Sequence, residues 1–130
     1  MSASPPINPN ADRTAHGQVL DEVLRKTPEL EGLLILTTTG EVTEVAGEHE
    51  ERLRQLASFA IGAFELSTRL ANEAGRGDVD FHLVRSERGH LVLHRIGNDK
   101  LLFGVAAEEA PLGLLAHDLG WCAGRLAARS

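Results

Sequence analysis

GLLILTTTGEVTEVAG, residues 32–47, reads as a β-hairpin. Leu33 to Leu36 is an unbroken apolar run, the pattern of a central strand covered on both faces. Thr39-Gly40 supplies the turn chemistry. Glu41 to Ala46 carries more charge and suits an outer strand. Working outward, His49 to Gly75 reads as one long helix. Val79 to Ala106 reads as a three-stranded meander, with turns at Glu87-Arg88-Gly89 and Gly97-Asn98-Asp99. Its last strand, Lys100 to Ala106, is again apolar enough to be central. Pro111 opens a closing helix that buries Leu112, Leu115, Leu119, Cys122 and Leu126. Before the hairpin, a helix starting near Asn10 or Asp12 ends ahead of Pro28, which holds Thr27 extended. Its apolar stripe is Val19, Leu20, Val23 and Leu24. The pattern predicts an α+β fold, an α/β sandwich on a five-stranded sheet, in the order helix-strand-strand-helix-strand-strand-strand-helix.

The composition excludes several functions. Of 130 residues 42% are hydrophobic and 25% charged, as in an ordinary globular chain of one domain. The net charge of −6 lacks the clustered positive face of a phosphate-backbone binder. Aromatic residues are only 4%, with no Tyr and one Trp, so platforms for stacking bases are scarce. No nucleic-acid partner is expected. Cys122 is the only cysteine and falls in an apolar helical pattern, where it packs as a small hydrophobe. The opening MSASPPINPN has neither the basic cluster nor the apolar run of a secretory signal, and no stretch approaches the ~20 apolar residues of a membrane span. A soluble cytoplasmic protein without membrane insertion is the expectation. Residues 1–11, with three prolines and no charge, read as a flexible tail to a single domain over 12–130.

The middle helix has more apolar surface than one contact needs. On a wheel at ~100° per residue, Leu53, Ala57, Ala60, Phe64 and Ala71 form the stripe that a sheet would cover. Phe59, Ala63, Leu66 and Leu70 form a second, flanking stripe, with Ile61 on the opposite flank. Exposing Phe59, Leu66 and Leu70 together would create the contiguous patch that marks an interface. Self-association through this flank is therefore expected. The polar arc holds Arg54, Ser58, Gly62, Glu65, Arg69, Asn72 and Glu73. Such an arc is ordinarily a solvated helix face. In a dimer, Arg54, Ser58, Glu65 and Arg69 would form a two-fold platform on which a partner could dock.

Motifs for chemistry are sparse. Gly75-Arg76-Gly77 follows a helix and precedes a strand, the reverse of a phosphate-cradling turn. No Cys pair, HExxH or GxSxG occurs, so no catalytic residue, cofactor or metal is assigned. If Glu87-Arg88-Gly89 is the whole hairpin loop, Ser86 faces His90 and His82 falls opposite His94. Two imidazoles so placed lack an evident third ligand, and a shift of one residue would separate them. Packing across the strands under a helix is the simpler role.

Three stretches resemble the roadblock (dynein-light-chain) family. LDEVLRKTPELEGLLILTTTGEV, residues 20–42, is similar to its opening helix, proline and glycine turn, and first hairpin. RLRQLASFAIGAFELSTRLANEAGRGDV, residues 52–79, resembles its long middle helix with a glycine-rich exit. IGNDKLLFGVAAEEAPLGLLAHDL, residues 96–119, resembles its last hairpin strand and the start of its closing helix. The likeness spans about residues 14 to 128, nearest to single-domain bacterial gliding-motility regulators. It implies an antiparallel sheet with one helix on one face and two on the other. It also implies a dimer, with middle helices side by side and third strands paired, so that Val79 to Ser86 becomes the dimer edge and Phe81 and Leu83 join Phe59, Ala63, Leu66 and Leu70 at the interface. Family members bind Ras-like small GTPases, stimulating hydrolysis or tethering them, or attach cargo to dynein, a role without support in these residues. The resemblance thus implies a non-enzymatic GTPase regulator or scaffold, as a homodimer or as a heterodimer with a related chain. A PAS or GAF sensory module that cups a small molecule between sheet and helix is the alternative, and a profilin-like layout a more distant one.

Overall fold

The computed structural model describes residues 13–128. The elements run α1 (Ala15–Lys26), β1 (Leu30–Thr37), β2 (Val42–Gly47), α2 (Glu50–Glu73), β3 (Phe81–Ser86), β4 (Gly89–Ile96), β5 (Lys100–Ala106) and α3 (Leu112–Ala128). The predicted element order is the observed one. The expected tail, residues 1–11, and the helix start near Asn10 or Asp12 lie outside the described residues. Within them α1 begins at Ala15, where Thr14 stands extended and its hydroxyl accepts from the Gly17 amide.

All five strands pair antiparallel in the order β2-β1-β5-β4-β3. The two apolar runs read as central strands, β1 and β5, are central. Along β1 the side chains alternate between two cores. Leu33 and Ile35 pack with α1 and α3, beside Leu20, Leu102, Leu119 and Leu126. Leu34 and Leu36 pack beneath α2, with Leu53, Ala57, Ala60, Phe64 and Phe103. One helix therefore covers one face and two cover the other. Gly32 lets α2 approach the sheet, because a Cβ there would lie 2.5 Å from a Leu53 methyl. Thr27 is buried at the exit of α1 and donates to Asp118 at 2.8 Å, tying α1 to α3. Leu112, expected in the core, is only half-buried: it is the first residue of α3, and burial along the helix begins at Leu115.

The β3–β4 hairpin corrects the histidine reading. Its loop is only Glu87-Arg88, since Gly89 pairs with Ser86 as the first residue of β4. Gly89 takes a φ of 152°, and an added Cβ would meet the Ala106 carbonyl oxygen at 2.5 Å. That glycine serves close strand packing rather than the loop, and the register moves by one residue. His90 therefore faces Arg85 rather than Ser86, His82 faces Leu93, and His94 faces Phe81. The two histidines lie on opposite faces of the sheet: His82 reaches Ser67 of α2, and His94 lies 3.5 Å from where a Cβ on Gly120 of α3 would sit.

Candidate interaction surface

Residues 53, 57, 60 and 64 recur at helical spacing and are buried against the sheet. The same 3.6-residue period brings Phe59, Leu66 and Leu70 onto one neighbouring flank, where they remain 75%, 72% and 72% exposed. Ala63 lies half-buried between them. Burying each large side chain is worth about 1.5–3 kcal/mol, so the flank carries several kcal/mol of unused association energy. No helix among the described residues covers it, because α1 and α3 occupy the other face of the sheet.

The flank continues into an open groove of about 570 Å³ lined by Ala63, Leu66, Ser67, Arg69, Leu70 and Glu73 of α2 and by His82 of β3. Ser67 joins the two elements. Its hydroxyl lies 2.9 Å from the Ala63 carbonyl and 2.7 Å from His82 Nδ1. Beyond His82 comes the outer edge of β3, which pairs only with β4 within the described residues. Such an edge is a template for another strand.

The expected interface residues do not all come together. Phe59, Ala63, Leu66 and Leu70 share one flank, but Phe81 and Leu83 are half-buried against the α1/α3 core. Phe81 meets His94 with ring centroids 5.8 Å apart. The residues of β3 that alternate onto the α2 side are His82 and Val84. The sequence showed the alternation of the strand but not which parity faced α2. The Ser67–His82 contact could have been found only by fixing that parity.

Arg54, Ser58, Glu65 and Arg69 are all exposed along the outer arc of α2, and none has a hydrogen bond or ion pair among the described residues. Elsewhere charges are spent on structure. Arg125 of α3 donates to Glu22 of α1 at 2.6 Å, and Lys26 sits 3.2 Å from the same carboxylate. Those hydrogen bonds, Arg125 first, hold the Glu22 carboxyl below its usual range. Burial pushes the Cys122 thiol up to about 12, so it packs and does not react. Among the described residues no group of three or more His, Cys, Asp or Glu is placed to hold a metal, and no helix is long and apolar enough to cross a membrane.

No curated protein matches the chain. Solved structures do. Myxococcus xanthus MglB is 18% identical with a TM-score of 0.81, covering 90% of this chain and 95% of its own. The gliding protein MglB from Thermus thermophilus is 25% identical with a TM-score of 0.79, covering 88% and 90%. A Roadblock/LC7 domain from Streptomyces avermitilis is 19% identical with a TM-score of 0.78, covering 85% and 92%. The family model for the Roadblock/LC7 domain matches residues 17–107, from the first turn of α1 to the end of β5. With its hairpin, bare α2 flank and open β3 edge inside that match, the chain belongs to the Roadblock/LC7 domain family.

Proposed function

We propose that this protein is a dimeric, non-enzymatic regulator or scaffold that docks a Ras-like small GTPase in the cytoplasm. The observation that carries the reading is the exposed Phe59, Leu66 and Leu70 stripe, which borders the groove leading to the open edge of β3. In the dimer the two α2 helices lie side by side along this stripe, and the two β3 edges pair into one continuous sheet. A homodimer and a heterodimer with a related roadblock chain both satisfy that geometry. Phe81 and Leu83 then support the edge from beneath rather than contacting the partner helix. The likeness to the gliding protein MglB of Thermus thermophilus supports a bacterial regulator of this kind.

Dimerisation sets the polar arcs of both α2 helices on one two-fold platform. Arg54, Ser58, Glu65 and Arg69 present unpaired polar groups there, and these contact the GTPase. A platform without catalytic residues acts by binding one arrangement of the partner's switch segments better than another, which shifts the population toward it. The sensory-module alternative gains no support from the sheet, whose faces are filled by Leu34, Leu36 and Phe103 on one side and Leu33, Ile35 and Leu102 on the other. The test is co-purification from the native host followed by single-turnover GTP hydrolysis with the captured GTPase. Arg69→Glu should weaken binding about tenfold or more, the scale of one charged contact reversed, while the dimer persists. Unchanged affinity would remove Arg69 from the platform, and capture of no GTPase would end the reading.

A further inference from the structure

The sheet has a second outer edge, on β2, and this one is fastened. The Glu48 amide donates to the Glu31 carbonyl at 2.8 Å, which marks Gly32–Gly47 as a pair whose own amide and carbonyl groups turn away from each other. Two residues along, Leu34–Val45 is a pair of the same kind. The amide and carbonyl of Val45 therefore point outward, near the middle of the free edge.

Arg13 occupies that spot. Its Nη2 donates to the Val45 carbonyl at 3.0 Å and to the Gly17 carbonyl at 3.3 Å, and its Nε donates to the Asp21 carboxylate at 3.2 Å. Nη1 lies 3.8 Å from one oxygen of Glu44, whose other oxygen accepts from the Thr14 hydroxyl. The guanidinium is thus held between the start of α1 and the outer side of β2. Gly17 makes room for it, because a Cβ there would lie 2.8 Å from the guanidinium carbon and 2.9 Å from Nε. A glycine inside a helix costs stability relative to alanine, and here it leaves the space that the arginine needs.

We infer that Arg13 is a latch over a second self-pairing surface: with the latch out, the β2 edge pairs antiparallel with the β2 edge of another copy of this chain. The strand is complementary to itself. With Val45 facing Val45 across a two-fold axis, each outward amide meets the other outward carbonyl. Glu44 then falls opposite Ala46 and Thr43 opposite Gly47, so no two carboxylates of the strands stand face to face. In the dimer proposed above, the β3 edges meet at the centre and both ends of the joined sheet are β2 edges. Free β2 edges would let each dimer pair with two others, and the sheet would grow dimer by dimer. A guanidinium seated on the Val45 carbonyl stops that growth. The growth rests on the proposed dimer; the pairing of β2 with β2 does not.

Sedimentation velocity of the full chain tests this by comparing the parent with Arg13→Ala and Gly17→Ala, beside hydrogen exchange at the Val45 amide. Gly17→Ala keeps the arginine and favours the helix, yet drives the guanidinium off the edge. Both variants should keep the parent's far-UV circular dichroism and sediment with at least double its mass at the same micromolar concentration. Exchange at Val45 should slow about tenfold or more as its amide finds a partner. In a Leu66→Asp background, Arg13→Ala should form a dimer through β2 alone. Variants that sediment as the parent does would overturn the latch. So would larger species in which Val45 exchanges as fast as in the parent, or loss of the fold in both variants, which would make Arg13 a structural tie. A monomeric parent with dimeric latch variants would instead count against the dimer through α2 and leave the β2 surface standing.

Discussion

Gly89 and Glu22 show how much single residues decide here. Replacing Gly89 by alanine places a methyl group against the Ala106 carbonyl at a backbone angle that side chains rarely adopt. Gly89→Ala should destabilise the fold by about 1–3 kcal/mol in urea unfolding, and a loss below ~0.5 kcal/mol would contradict the packing described. Glu22 has its carboxyl held below the usual range by Arg125 and Lys26. Its stabilising effect is therefore full above the ordinary carboxylate pKa and fades as pH falls through the lowered folded value. Glu22→Gln should reduce the steepness of acid unfolding below about pH 4.5, the carboxyl's reference value. An identical acid limb would sink that account. Cys122, buried with its thiol raised, should resist iodoacetamide in the native state at neutral pH and react once urea unfolds the chain. The buried cysteine could be read in the sequence from its place in an apolar helical pattern. The histidine register could not, because glycine is equally at home in a turn and beside a close-packed strand, and the local pattern does not say which of the two Gly89 serves.

Among the elements, α2 was the most legible. Its length and its two apolar stripes follow from period alone, and burial divides most of them as the wheel does, with Leu53, Ala57, Ala60 and Phe64 inside and Phe59, Leu66 and Leu70 outside, while Ala71 of the first stripe and Ala63 of the second are half-buried. Strand β3 was read only in part. A strand of period two gives two candidate faces, and choosing between them takes a tertiary contact such as Ser67 to His82, which sequence spacing does not encode. This distinction has a measurable consequence. Phe59→Ser and Leu70→Ser remove side chains that touch little within one subunit, so in a monomeric state they should change stability by no more than ~0.5 kcal/mol. Phe81→Ser should cost roughly 1–3 kcal/mol, because Phe81 packs on the α1/α3 core. Equal losses at all three positions would mean the α2 flank is covered within one subunit.

For the molecule as a whole, the order of elements was readable because each strand and helix carries its own periodicity and its own stop signal. Pro28 and Gly40 fall in the turns between elements, and Gly97 and Pro111 directly adjoin observed boundaries. The assembly was less so. A surplus apolar stripe says that something must cover it, while the choice of a second roadblock subunit comes from the family and the open β3 edge. If the two edges join, unfolding should be linked to association, and the melting temperature should rise with protein concentration. A concentration-independent melt would point to a self-sufficient monomer.

Sedimentation velocity of the full chain, run beside Leu66→Asp, tests the dimer most directly. The account predicts a dimer at micromolar concentration for the parent chain and a folded monomer for the variant. A parent chain that sediments as a monomer throughout that range, or a variant that stays dimeric, would contradict it.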